Sequence, residues 1–348
     1  MKLQRDYYFD NAKFILIFFV VFGHLLRSFI EDNEMIYNIY KVIYTFHMPA
    51  FILVSGFFAR GFNKKGYVMK IAKKLILPYF IFQLIYSIFY YFLYSKSTFT
   101  MDPLNPHWSL WFLISLFCWN IMLIGFSKLK ASVGLLIAFG LGLGVGYVDW
   151  ISNYLSLSRT FVFFPLFLLG YHLTKDHIKT LTRTPFKIGA LVTFTVVFLG
   201  FLFNPEVDYK WLLGSKPYSM MEAASISSMF TRLGFYLLSL LMVFSFLTIV
   251  PKKQYFFTNL GKNTLYVYLL HGFFVRTFRE SEVQNFFHSP ERILLLAVIA
   301  LLLTFLLSSK YAAAIAQPLI EFKTSRINRL KTRFTAILRF YRRKLLSE

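Results

Sequence analysis

"DNAKFILIFFVVFGH", residues 10–24, decides how this chain is read. From Phe14 to Gly23 every residue is apolar or small, yet Asp10 and Lys13 precede the run and His24 ends it. On an α-helix, Lys13 and His24 fall on nearly one face, about 16 Å apart along the axis. Asp10 and Arg27 lie within about 60° of the same stripe. Ionisable groups at membrane depth are costly unless they face a polar interior. Taken singly, Lys13 could snorkel to the headgroups and His24 could be a structural bundle histidine. Their shared face implies a polar cavity crossing a helical bundle.

The rest of the composition supports a membrane setting. The 348 residues are 57% hydrophobic and include 44 Phe and 22 Tyr, too apolar for a soluble domain of this size. The first run lacks a small-residue cleavage site and reads as a retained helix, not a signal peptide. Cys118 is the single cysteine, which excludes an intramolecular disulfide and a cysteine-based metal cluster. No metal site is expected. The net charge of +22 sits mainly in short connectors. That favours positive-inside charge over nucleic-acid binding.

Ten apolar segments are expected, near 9–30, 36–60, 75–95, 108–127, 131–150, 159–174, 187–204, 230–250, 258–279 and 291–316. Alternate connectors are basic, and the others carry acids such as Glu31, Asp102 and Glu206. The expectation is an all-α, polytopic transmembrane helical bundle of about ten spans, with both termini cytoplasmic. Residues 1–316 would form the bundle. Residues 317–348, with Lys331, Arg333, Arg339, Arg342, Arg343 and Lys344, would form a basic cytoplasmic tail lying on anionic lipid. The outer connector 205–229 has room for a short helix or lid. "FGLGLGVGY" (139–147) has small-xxx-small spacing, Gly140/Gly144 and Gly142/Gly146, and reads as close helix packing, not a phosphate loop.

Other segments add chemistry. "FHMPAFILVSGF" places His47 beside Pro49, which kinks its helix. "KIAKKLILPY" puts Lys70, Lys73 and Lys74 within about one turn of each other at an inner mouth, a spacing suited to a polyphosphate or to ordinary positive-inside charge. "HWSLWFL" offers His107, Trp108 and Trp111, either an aromatic belt or a sugar-stacking face. Arg159 begins "RTFVFFPLFLLGY", and "LGKNTLYVYLLHGF" carries His271. No HExxH, G-x-S-x-G or Walker loop is present.

Together these segments resemble the acyltransferase-3 family of integral membrane acyltransferases, within it the fucose 4-O-acetylase-like group and relatives that modify surface polysaccharide. The family's first span carries a basic residue, ten residues, then His. Lys13 stands where Arg is usual, and Lys70 with Lys73 or Lys74 replaces a basic pair. Some members add an extracytoplasmic esterase-like domain; here a basic tail follows.

The resemblance implies a multi-pass enzyme of the cell membrane, with cytoplasmic acetyl-CoA or another acyl-CoA as co-substrate and a glycan hydroxyl as acceptor. Lys70, Lys73, Lys74 and Lys13 would hold the CoA phosphates, and His24 would act as general base or acyl carrier. Arg27, His47, His107, Trp108, Trp111, Arg159 and His271 would serve the acceptor side. Membrane lipids are expected partners, nucleic acid is not, and a homo-oligomer fits the sequence. An exporter of a polysaccharide or lipid-linked sugar is the alternative reading.

Overall fold

The computed structural model describes residues 6–62, 64–287, 290–329 and 332. All regular structure among them is helical: α1 (Tyr7–Leu26), α2 (Glu34–Phe57), α3 (Tyr67–Leu93), α4 (Trp111–Phe126), α5 (Ala131–Gly144), α6 (Leu157–His172), α7 (Lys175–Leu181), α8 (Thr184–Phe203), α9 (Lys210–Leu213), α10 (Ile226–Ile249), α11 (Thr264–Glu280), α12 (Ile293–Ser308) and α13 (Lys310–Glu321), with short 3-10 turns between. Local chemistry sets several starts. Asp6 accepts the Tyr8 N–H at 3.2 Å to cap α1, and Asn33 accepts the Ile36 N–H at 3.0 Å to cap α2.

Each expected apolar segment meets a helix. Among the described residues, α1, α2, α3, α6 with its leading turn, α8 and α10 are long and apolar enough to cross a membrane, while α4 and α5 are apolar but shorter. One expectation is corrected. Segment 291–316 is not a single straight helix: α12 and α13 meet at 62°. The polar run Ser308–Ser309–Lys310 breaks it, Ser309 turning extended (ψ 157°) and capping α13 by accepting the Ala312 N–H at 3.2 Å. Residues 316 and 317 therefore both lie inside α13. Most of the basic tail, including Lys331, Arg333, Arg339, Arg342, Arg343 and Lys344, lies outside the described residues.

Helices α1, α2 and α6 form the buried centre, and α8 is almost wholly at the surface. Glycine lets α2 and α6 touch backbone to backbone: Gly56 faces the Phe167 carbonyl and Gly170 faces the Leu53 carbonyl, leaving no room for a Cβ. The glycine stripe of α5 behaves as expected on one face only. Gly142 abuts the Tyr236 hydroxyl and Gly146 the Tyr218 ring, whereas Gly140 and Gly144 face open space.

Side-chain ties gather the connectors into two ends. At one end, Asn11 donates to the carbonyls of Pro251 (2.8 Å) and Lys253 (2.9 Å), Arg60 to that of Leu173 and Lys252 to that of Thr182 (3.4 Å). These are the basic connectors. At the other end, Arg27 donates to Tyr209 (3.0 Å) and the Leu155 N–H to the Leu104 carbonyl (2.6 Å).

Candidate active site

A cavity of about 300 Å³ opens at the second end, between α1, α2, α6, α9, α11 and the loop before α4. That loop is fastened by one face of α3. Tyr79, Gln83 and Ser87, spaced i, i+4 and i+8, are all buried. Tyr79 donates to the Pro103 carbonyl (2.7 Å), and Gln83 donates to those of Asp102 (2.6 Å) and Asn105 (2.9 Å) while accepting the His107 N–H (2.9 Å). Ser87 pairs with His107 Nε2 at 2.8 Å. His107 thus anchors the loop and does not line the cavity, contrary to its expected acceptor-side place. Burial, helped by Lys96 and Arg276 and opposed by Asp102, lowers its pKa. The clamp holds Trp108 at φ +31°, a conformation that costs a tryptophan on the order of 1–3 kcal/mol.

The strained residue delivers its ring to His24, centroid to centroid 4.3 Å. The His271 ring lies 5.5 Å from His24 at 20° and 5.4 Å from Trp108, so the three rings form a triangle. Tyr44 Oη is 3.4 Å from His24 Nδ1, and Arg279 donates to the His24 carbonyl at 2.6 Å. His47 and His271 are both buried, and each donates Nδ1–H to a carbonyl one turn back, Ile43 at 2.8 Å and Val267 at 2.9 Å. This tautomer leaves Nε2 with the lone pair. His271 Nε2 has no partner among the described residues. Arg27, His47, Trp108, Trp111 and Arg159 line the cavity, and His271 flanks it through His24.

The connector 205–229 carries α9, whose Leu212 and Leu213 close one wall. Two residues of α2 one turn apart hold its start. Tyr37 donates to the Val207 carbonyl (2.9 Å), and the buried Lys41 donates to those of Asn204 (3.4 Å) and Pro205 (3.3 Å).

Two further cavities follow towards the basic end. The second, about 210 Å³, shares Val20, Met48 and Tyr268 with the first. The third, about 310 Å³, shares Phe51, Ser55, Lys74, Leu75 and Leu116 with the second and is also lined by Lys13. The sequence suggested a polar passage; its middle is apolar. Between Lys13 and His24, α1 presents Ile17 and Val20, opposite Met48, Phe112 and Leu113. The stripe is polar only at its ends. Lys13 pairs with Asp10 at 2.9 Å. Lys70 and Lys73 are exposed on α3 and line none of the three cavities, so of the lysine cluster Lys74 alone reaches them.

Sequence reasoning missed Arg276 and Arg279, which line the first cavity from α11. Their i, i+3 spacing, one to two turns after His271, was the available sign. It also missed Tyr40, Tyr44, Ser109 and Tyr268 in the same lining.

The acyltransferase domain model of the acyltransferase-3 family matches residues 6–309. The chain belongs to that family. Within it, short stretches are similar to Nodulation protein NolL of Sinorhizobium fredii, 48% identical over 61 residues and 17% of each chain, and to Nodulation protein NolL of Mesorhizobium japonicum, 39% identical over 82 residues and 22% of each. The match spans about a fifth of the length of these relatives. No solved structure matches this acyltransferase-3 chain.

Proposed function

We propose that the protein is a membrane O-acyltransferase that moves an acyl group, acetyl in the simplest case, from cytoplasmic acyl-CoA to a hydroxyl of a surface or lipid-linked glycan. The basic end would face the cytoplasm of a cell-membrane protein, as Lys/Arg asymmetry favours. The observation that carries the reading is the row of three cavities running from Lys13 and Lys74 to His24. A narrow, largely apolar passage suits an extended thioester arm better than a charged nucleotide. The phosphates would stay at the mouth with Lys13 and Lys74, and Lys70 and Lys73 would add only a general positive field.

At the far end, His24 acts as general base. With Nδ1–H donating to Tyr44 Oη, Nε2 keeps the lone pair and takes the proton of the acceptor hydroxyl. The hydroxyl oxygen attacks the thioester carbonyl, the C–S bond breaks, and the thiolate leaves and recovers that proton. His271 and Trp108 pack beside the imidazole and against each other. Trp111 and Arg159 would bear on the sugar.

The test is release of CoA from acetyl-CoA by the purified full-length protein with glycan acceptor present. His24→Ala is expected to lower kcat by about 10²–10⁴-fold at an unchanged level of folded protein. Wild-type activity in that variant removes His24 from the chemistry, and absence of CoA release from the wild type defeats the acyl-transfer reading.

A further inference from the structure

The first cavity carries more positive charge than transfer to a neutral sugar requires. Arg27, Arg159, Arg276 and Arg279 line it, and no Asp or Glu does. Of the four, Arg27 alone meets a carboxylate among the described residues, Glu31 at 3.2 Å, whose side chain is 78% exposed. Arg159 has the Leu213 carbonyl at 3.3 Å and the Trp111 face at 5.0 Å. Arg276 lies over the rings of Trp108 (4.9 Å) and Tyr90 (5.6 Å), and Arg279 over Trp108 (5.5 Å). The Nε atoms of Arg276 and Arg279 are buried with no acceptor among the described residues.

Ring faces stabilise a guanidinium from above and leave donors at its edge free, so Arg279, with one bond to the His24 carbonyl, and Arg159, with one to the Leu213 carbonyl, keep N–H groups to offer. Like charges gathered in a partly desolvated cavity repel each other unless an anion joins them. Carboxylate and phosphate oxygens match the fork two at a time. The CoA phosphates are poorly placed to be that anion, because the proposed donor site lies beyond the apolar stretch.

We propose that this cavity takes a saccharide bearing an anionic group, carboxylate or phosphate, beside the hydroxyl to be acylated. The inference rests on the acyl-transfer reading and specifies its acceptor class.

Binding can be read without turnover, from the tryptophan fluorescence of the full-length protein in detergent titrated with methyl β-glucuronide, glucose 1-phosphate or methyl β-glucoside. The better anionic sugar is expected to bind at least about tenfold more tightly than the neutral one, and 1 M NaCl to erode the difference. Whether the glucuronide or the phosphate wins separates a uronic acid from a phosphate-linked sugar. Arg276→Gln is expected to cut the preference to about threefold or less, and Arg276→Lys to restore part of it. Arg279→Gln gives a second readout, though it also loses the bond to the His24 carbonyl.

Equal affinity for the three sugars, binding of none, or an Arg276→Gln variant that loses acetyl-CoA affinity and keeps its sugar preference overturns the proposal. CoA release is scored separately, so anion preference without acyl transfer would sink the enzymatic reading alone.

Discussion

Both ends of the cavity row are positively charged, and they are built differently. At one end Lys13 is 27% exposed beside Asp10, and Lys70, Lys73 and Lys74 stand in the open on α3. These are flexible, hydrated point charges. Asp10, the carboxylate that Lys13 meets, is buried. At the other end the cations are arginines laid on Trp108, Trp111 and Tyr90, against the half-buried His24 and the buried His271. Loose charge suits capture and release of a soluble anion. Fixed, planar charge suits orientation. Under the proposed function the two ends would differ as a docking mouth differs from a reaction chamber.

The largest predicted effect tests whether they communicate. Ser55 lines the second and third cavities. Ser55→Phe should narrow the passage and lower acyl transfer from acetyl-CoA by about a hundredfold, the scale of a misplaced reacting group, with no collapse of the thermal unfolding midpoint. Unchanged turnover would separate the two ends functionally.

Next, Trp108→Ala removes the ring packed against His24 at a 53° tilt. It should lower kcat about tenfold, given the roughly 0.5–1.5 kcal/mol such ring pairs contribute, with little change in the KM for acetyl-CoA. A change confined to that KM would assign Trp108 to the donor.

A smaller effect belongs to the lysine end. Lys13→Gln combined with Lys74→Gln should raise the acetyl-CoA KM roughly fivefold at constant kcat, as expected for the loss of exposed charge-assisted contacts. Lys70→Gln with Lys73→Gln should do less, because neither side chain reaches the passage.

The smallest effect is acid sensitivity of the loop clamp. The pKa of His107 is lowered in the fold, so the unfolded chain binds more protons as pH falls below about 6.5, and stability falls with it. Between pH 7.5 and 5 the wild type should lose about 2 °C more in unfolding midpoint than His107→Gln, as measured by differential scanning fluorimetry. The reverse order would contradict the buried, neutral imidazole.

Much of this was legible in the residues. Apolar segments with polar connectors located every long helix, because backbone satisfaction in lipid leaves few alternatives. His24 and Arg159 were visible as polar side chains costly to face towards lipid, and Trp108 and Trp111 as amphipathic rings that could serve either an aromatic belt or a site. What stayed hidden depends on partners from other helices. The bend at Ser309 rests on a short polar run, Ser308–Ser309–Lys310, inside a long apolar segment that reads through as one helix. Arg276 and Arg279 read as the basic end of a segment until α11 is seen to pass beside α1. His107 looked like a ligand-facing residue because Gln83 and Ser87, which hold it, lie some twenty residues earlier. The apolar middle of the passage was obscured by a helical wheel that aligned Lys13 with His24 and said nothing of Ile17 and Val20 between them.

That greasy middle has a consequence for the cell. A protein open to water on both sides of a bilayer risks becoming a leak. Ile17, Val20, Met48, Phe112 and Leu113 form a stretch where a hydrated ion would have to shed its shell with little to replace it, Ser55, Thr264 and Tyr268 being the nearby hydroxyls. A thioester arm has no such shell to lose there. The same few side chains would let carbon chemistry pass while keeping the proton gradient intact.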